Sequence, residues 1–219
     1  MRTFALLASL LVLAGISGCA KHKDSMHRVD GSIHLIAGQT NGDAATLNGA
    51  ISIDDKATFG IADAINGDIW VGAGASGKTA RAVDGSITLD KGAHLSGEMT
   101  VANGNLTLNE GAEAGSVSNV NGRIVANGAV VDRGINTVNG DIFVNGPSRI
   151  QGGIHVNRLP TGIIQAAHEP PRIVIGPGAT VEGTMKFERP VKLFVSDKAT
   201  IGPVVGASPI PFSGDQPPP

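Results

Sequence analysis

The segment Gly72-Ala-Gly-Ala-Ser-Gly77-Lys78-Thr79 matches, position for position, the glycine-rich pattern whose backbone cradles nucleotide phosphates. It comes after an apolar alternation, Ile69-Trp-Val71, as a working phosphate loop would. That chemistry also requires a helix immediately afterwards, because the helix N-terminus supplies free amides and the positive end of a dipole. The next residues are instead Ala80-Arg-Ala-Val-Asp84-Gly85, a turn phrase that recurs along the chain. No second motif, an aspartate closing an apolar strand, accompanies it. Gly72, Gly77, Lys78 and Thr79 are therefore read as a coincidental match, and no cofactor is expected.

The six histidines, His22, His27, His34, His94, His155 and His168, never fall in a ligand spacing such as His-x-x-x-His. His34 and His155 lie between two apolar residues, a position shared with Ser52, Trp70, Thr88, Thr107, Val125 and Phe143. That is the outward position of a half-buried strand, so solvated histidines are expected and a metal site is not. Trp70 and Phe143 on the same face either mark a contact surface or pack beneath a loop. Polysaccharide cleavage needs carboxylates, or a basic group, converging on one face. Asp54 and Asp55 adjoin, but the residues expected to stack on them are Gly72 and Ala73. No catalytic set emerges, and the chain is read as a non-enzyme.

Composition narrows the classes further. A formal charge of −2 and the absence of tyrosine argue against nucleic acid, whose capture needs clustered cations and stacking aromatics. The 31 glycines lack a collagen period, so they must serve turns.

The chain begins with Met1-Arg2 and an apolar run from Phe4 to Ile16, too short to cross a bilayer but suited to a secretory leader. The run ends in Ile16-Ser17-Gly18-Cys19, which resembles the lipobox of bacterial lipoproteins. The resemblance implies removal of residues 1–18, lipidation of Cys19 and membrane attachment through that lipid. With Ala20 rather than aspartate next, it further implies the outer membrane of a Gram-negative cell. The alternative is an ordinary cleaved leader with an incidental cysteine. Cys19 is the only cysteine, so no intramolecular disulfide competes for it. Residues 19–27 then form a polar tether.

Beyond the tether a phrase repeats: Val29-Asp-Gly-Ser-Ile-His-Leu35, Leu47-Asn-Gly-Ala-Ile-Ser-Ile53, Ile65-Asn-Gly-Asp-Ile-Trp-Val71, and onward to Val138-Asn-Gly-Asp-Ile-Phe-Val144. Its glycines, 31, 49, 67, 85, 104, 122 and 140, recur every 18 residues with one step of 19. Asn-Gly and Asp-Gly turn the chain, and Ile-x-Leu alternation gives a short strand with one apolar side. Hairpins would use such turns too, but antiparallel neighbours do not need identical corners at a fixed period. A solenoid does, because every coil sits on the last. The spacing predicts an all-β parallel β-helix over residues 28–205. Two inward stacks are expected, one through Ile33, Ile51, Ile69, Ile87, Leu106, Ile124 and Ile142, the other from Leu35 to Val144. A polar corner ladder should run through Asp30, Asn48, Asn66, Asp84, Asn103, Asn121 and Asn139, where amide side chains can bond along the stack. One coil alone cannot offset its backbone entropy; stacking several can.

After Val144 the register loosens. Ile150-Gln-Gly-Gly-Ile-His-Val156 echoes the phrase, residues 157–171 read as a protruding loop, and 206–219 as a disordered proline-rich tail. The hexapeptide period of left-handed helices fails at Asn41, so a right-handed coil is preferred.

Gly92-Ala-His-Leu-Ser-Gly97 and Gly178-Ala-Thr-Val-Glu-Gly183 resemble the Gly-Ala-x-Val-x-Gly phrase of bactofilins, and the repeat also resembles an adhesin-type solenoid domain. These resemblances imply a slim β-helix and either of two roles. One is an envelope scaffold or adhesion module; the other is a polymer whose open coil ends stack between copies.

Overall fold

The computed structural model describes residues 25–158 and 169–217. Cys19, the leader, most of the tether and most of the 157–171 loop lie outside the described residues.

Alternation of small or aliphatic residues with polar ones makes each coil a run of three short strands, and each strand pairs in parallel with its equivalent one coil on. The first face holds Met26–Asp30, Ala44–Asn48, Ile61–Asn66 and Thr79–Asp84, then passes through the later part of His94–Asn103 and the middle of Glu113–Asn127. It continues with Ile135–Thr137, Ile154–Val156, Met185–Phe187 and Val204–Val205. The second face runs from Ile33–Leu35 through Ile51–Ile53, Ile69–Val71 and onward to Lys192–Ser196 and Ile210–Phe212. A third, shorter series includes Ser76–Gly77, Val130–Val131 and Thr180–Val181. The result is an all-β solenoid of about 10 turns with coils about 18 residues apart and no helix among the described residues. At about 4.8 Å per coil the rod is on the order of 45 Å long.

The two inward stacks are fully formed: Ile33, Ile51, Ile87, Leu106, Ile124 and Ile142 are all 0% exposed, and Leu35 through Val144 line the column beside them. Opposite them the first face offers Ala44, Ala62 and Ala80, then the larger Met99, Val117 and Ile135. Among the described residues, all buried aliphatic side chains lie between Ile33 and Phe212, so a chain starting at Ala20 keeps this core.

The corners explain the glycines more fully than turn conformation alone. A Cβ on Gly67, Gly85, Gly104, Gly122 or Gly140 would collide with the carbonyl oxygen of the corner glycine one coil earlier. Gly67 has a φ of 154°, which favours glycine in any case, but Gly85 has no positive φ and meets the same carbonyl. Close stacking is therefore the common requirement.

The structure departs from the sequence-based expectation at two places. Ile154-His-Val156 belongs to the first face, pairing with Ile135–Thr137, so His155 does not share the column of His34. The chain reaches Ile154 from the third series at Arg149–Ile150 with no Asn-Gly corner between them, so it enters the first face, and the second face resumes only at Arg172. The tail expected to be disordered supplies the last strand: Ile210–Phe212 pairs with Phe194–Ser196, and Phe212 is buried against Val174 and Phe194. Burial of Phe212, together with main-chain pairing of the strand, orders the tail despite its prolines.

One inward side chain is unsatisfied. Asn119 is 3% exposed and neither its carbonyl nor its amide finds a protein partner among the described residues, although its stack neighbours are Val101 and Thr137. An unmet buried amide costs roughly 1–3 kcal/mol. Asn119→Val, which repeats the residue one coil earlier, should therefore stabilise the rod by about 1–2 kcal/mol in chemical denaturation; a loss of stability would show that the amide is held in a way the packing does not reveal.

Candidate functional site

The corner asparagines form a directional ladder. Each Nδ2 donates to the side-chain oxygen one coil earlier: Asn48 to Asp30 at 2.8 Å, Asn66 to Asn48 at 2.9 Å, Asn103 to Asp84 at 2.9 Å, Asn121 to Asn103 at 2.9 Å and Asn139 to Asn121 at 3.4 Å. An asparagine both accepts and donates, so it can sit anywhere in such a chain; an aspartate only accepts, so it must stand at the start. Asp30 starts the first run. Asp84 starts a second, because it has no proton to give to Asn66 beneath it. The second run is closed at its other end by Arg189, whose guanidinium donates to Asn139 Oδ1 and to the Val138 carbonyl, both at 3.0 Å.

Where the residue after a corner glycine is Asp, Asn or Ser, it has a related task. Asp68 Oδ1 accepts the Ser86 amide at 2.7 Å, Asn105 Oδ1 the Arg123 amide at 2.9 Å, and Asp141 Oδ1 the Arg172 amide at 2.8 Å. These side chains replace main-chain pairing where the strand bends.

The phosphate-loop pattern occupies an ordinary coil. Its amides at Gly72, Gly74, Ser76 and Lys78 donate to carbonyls of Ile53, Lys91, Ala57 and Gly60, and the Ala73 amide donates to Asp55 Oδ1 at 2.8 Å. Thr79 begins the next first-face strand. The amides a phosphate would use are thus engaged with neighbouring coils. Asp54, beside Asp55, lies 2.7 Å from His34 Nε2 on the outer surface, and His94 meets Glu113 at 3.1 Å in the same way. Among the described residues no three metal-ligating groups converge. His22 and His168 lie outside them.

Two carboxyls are displaced from their ordinary range. Burial in the first face pushes Asp63 up, against the Arg81 guanidinium 2.9 Å away, with Asp43 adding to the rise and His27 opposing it. Its folded state holds a proton more tightly than the unfolded chain, so its stabilising contribution is lost as pH rises through the folded value. Glu188 is held low, chiefly by the hydrogen bond from Lys186 Nζ at 2.7 Å.

A sizeable cleft was not legible in the sequence. It measures about 810 Å³ and lies between the outer surface of the second face and the C-terminal tail, lined by Arg123, Asp141, Phe143, Arg172, Asp215 and Gln216 among others. Two smaller hollows share Asp141, extending it towards Asn105 and Asn139 on one side and Lys192 on the other. Its apolar floor is Phe143 and Val174, part of an outward column that continues to Phe194, where Phe212 packs on it. Arg123 lies 5.1 Å over the Phe143 ring and Arg172 lies 4.8 Å over Phe194, so each guanidinium is oriented by an aromatic face. The lining offers forked donors and carboxylate acceptors, a composition suited to recognising polar groups. It includes no serine, cysteine, threonine or histidine among the described residues. Trp70, in the same column four coils nearer the N-terminal end, is left 39% exposed.

The tail is the element that walls this cleft, and Phe212 is what seats it. Phe212→Ala should release the last strand: the amides of Ile210 and Phe212 should lose hydrogen-exchange protection by at least about tenfold while those of Ile124–Ala126 keep theirs. Protection unchanged in both places would mean that the tail is held by main-chain pairing alone.

Compared with family models, curated proteins and solved structures, the chain matches none of them, and its fold stands on the geometry above.

Proposed function

We propose that this chain is a non-enzymatic lipoprotein of the cell envelope, attached through lipid on Cys19, whose β-helix is a stiff scaffold presenting its outer faces for adhesion or interaction. The observation that carries this reading is the uninterrupted parallel pairing from the first coil to the last, which makes about 10 turns a single unit with no hinge among the described residues. A rod of that kind keeps whatever it presents at a fixed height and orientation. The lipobox-like Ile16-Ser17-Gly18-Cys19 supports the anchor, and the outer membrane is the address its flanking Ala20 suggests. The Arg-rich, aromatic-floored cleft and the exposed Trp70 are the surfaces best equipped to meet a partner.

A second reading, end-to-end polymerisation, is favoured by one specific observation. Among the described residues, five of the six exposed large apolar side chains lie in the terminal coils: Met26, Val29 and Ile36 at one end, Val205 and Ile210 at the other. Unpaired strand edges with apolar flanks invite stacking. Filaments of the chain from Ala20 onward in negative-stain images would move this reading ahead of the first.

The anchor is tested by growing producing cells with radiolabelled palmitate. Label should co-migrate with the processed protein that begins at Cys19, and Cys19→Ser should abolish both the label and membrane retention at high salt. Label that persists in Cys19→Ser, or a wild-type protein found free in the soluble fraction, would refute the anchor.

A further inference from the structure

The first face carries an outward column that the inward packing of the repeat does not require. The residue before each corner Asn or Asp is apolar in every phrase: Val29, Leu47, Ile65, Val83, Ala102, Val120 and Val138. These positions alternate with the inward Thr46, Ala64, Ala82 and Val101, so they point out of the rod. Val29 is 63% exposed and the next five are partly exposed, whereas Val138 is only 5% exposed and has Arg189 bonded to its carbonyl. The open stripe therefore spans six coils, about 25–30 Å of rod. On one side lies the asparagine ladder. On the other runs a column of small or polar residues, His27, Ala45, Asp63, Arg81, Thr100 and Ser118. Its carboxylate and guanidinium neutralise each other at 2.9 Å, and they sit in the third and fourth coils. The midpoint of the open stripe falls between them.

We infer that this face packs against the same face of a second copy, with the two rods antiparallel about a two-fold axis passing between Asp63 and Arg81. Such an axis, lying in the contact plane and across the rods, reverses rod direction but sets each column against itself. Ile65 of one copy then meets Val83 of the other, Val29 meets Val120, and Leu47, the largest residue of the stripe, meets Ala102, the smallest. Asp63 of one copy meets Arg81 of the other, twice. A shift of one coil either way would set Asp63 against Asp63 or Arg81 against Arg81, so charge fixes the register. Parallel rods could set stripe on stripe only by laying the polar column against the asparagine ladder, where Asp63 and Arg81 find no opposite charge to fix the register. The main like-charge opposition lies at the rim, Asp43 against Glu98, and the Asp43 carboxylate there already accepts the Ile61 amide at 2.8 Å. Six coils by about five residues cover roughly 900–1,000 Å² summed over both copies, below the usual range for stable pairs, which points to a weak, reversible dimer of micromolar or weaker affinity. In chains carrying the proposed lipid, this arrangement sends the two anchors to opposite ends of the pair, as contact between two membranes would need. That last consequence alone rests on the anchored reading.

The test uses the unlipidated chain from Ala20 onward, which keeps the whole core, in sedimentation velocity from about 1 to 200 µM. A monomer–dimer equilibrium is expected. Ile65→Lys, an outward change, should leave a monomer with an unaltered far-ultraviolet spectrum. Asp63→Arg should weaken the dimer by at least about tenfold, and adding Arg81→Asp should restore it. Copies carrying Ala45→Cys should cross-link to copies carrying Thr100→Cys and not to one another. A monomer at every concentration would overturn the inference. So would association that Ile65→Lys leaves untouched, the signature of end stacking, or cross-linking of Ala45→Cys copies to themselves. Because the assay carries no lipid, failure of the dimer leaves the anchored reading standing, and failure of the anchor leaves the dimer intact.

Discussion

The contact on which the rest of the molecule depends is between corner glycines, each α-carbon lying against the carbonyl oxygen of its predecessor one coil away. No side chain fits between them. That approach lets the chain turn at the same place in every coil, and once the corners are in line every other column falls into place. Ile33 stacks on Ile51 and Ile51 on Ile69 because the glycines before them do. The asparagine ladder has the same origin: Nδ2 reaches the next Oδ1 at about 2.9 Å only where the corners repeat at strand spacing.

Regular corners also explain where the rod changes character. From the first coil to the seventh the corner is Asn-Gly or Asp-Gly, and the outer surface is plain. In the eighth no Asn-Gly corner follows Val156-Asn157, and in the ninth Glu188-Arg-Pro-Val191 stands in its place. Freed from the corner geometry, these connections do other things. Arg189 reaches back to close the ladder at Asn139, Glu188 gathers Lys186 and Arg158, and the final strand turns Phe212 onto the outer aromatic column. The cleft lies at the end of the rod where periodicity is lost.

This contrast sets what can be read from the sequence. The period, the inward stacks and the polar corner column are legible because each is written seven times over in residue type. The triangular coil is not, since the third series of strands is two residues wide in places, as at Ser76–Gly77, and leaves no alternation to detect. Sequence pattern puts His155 on the wrong face because Ile154-His-Val156 copies the local form of a second-face strand while the missing corner shifts it to the first. The cleft is not legible in the sequence: coil stacking sets Arg123, Asp141 and Arg172 side by side, but Asp215 joins them only because the tail folds back, and proline content argues against any order there. The ordering of the tail turns on one buried side chain, Phe212, which composition averages away. The outward apolar stripe is present in every phrase, yet alternation alone does not reveal that it faces away from the core.

Thermal and chemical unfolding of Gly85→Ala beside Gly92→Ala tests the central contact most directly. Gly85 has no positive φ but its added Cβ would strike the Gly67 carbonyl, whereas Gly92 has a φ of 67° and open space around its Cβ. If close stacking of corners holds the fold, Gly85→Ala should cost about 2–4 kcal/mol, clearly more than the roughly 1 kcal/mol expected for backbone strain at Gly92. If Gly85→Ala is the milder of the two, backbone conformation sets the corners, and glycine-to-carbonyl stacking is not what holds the solenoid.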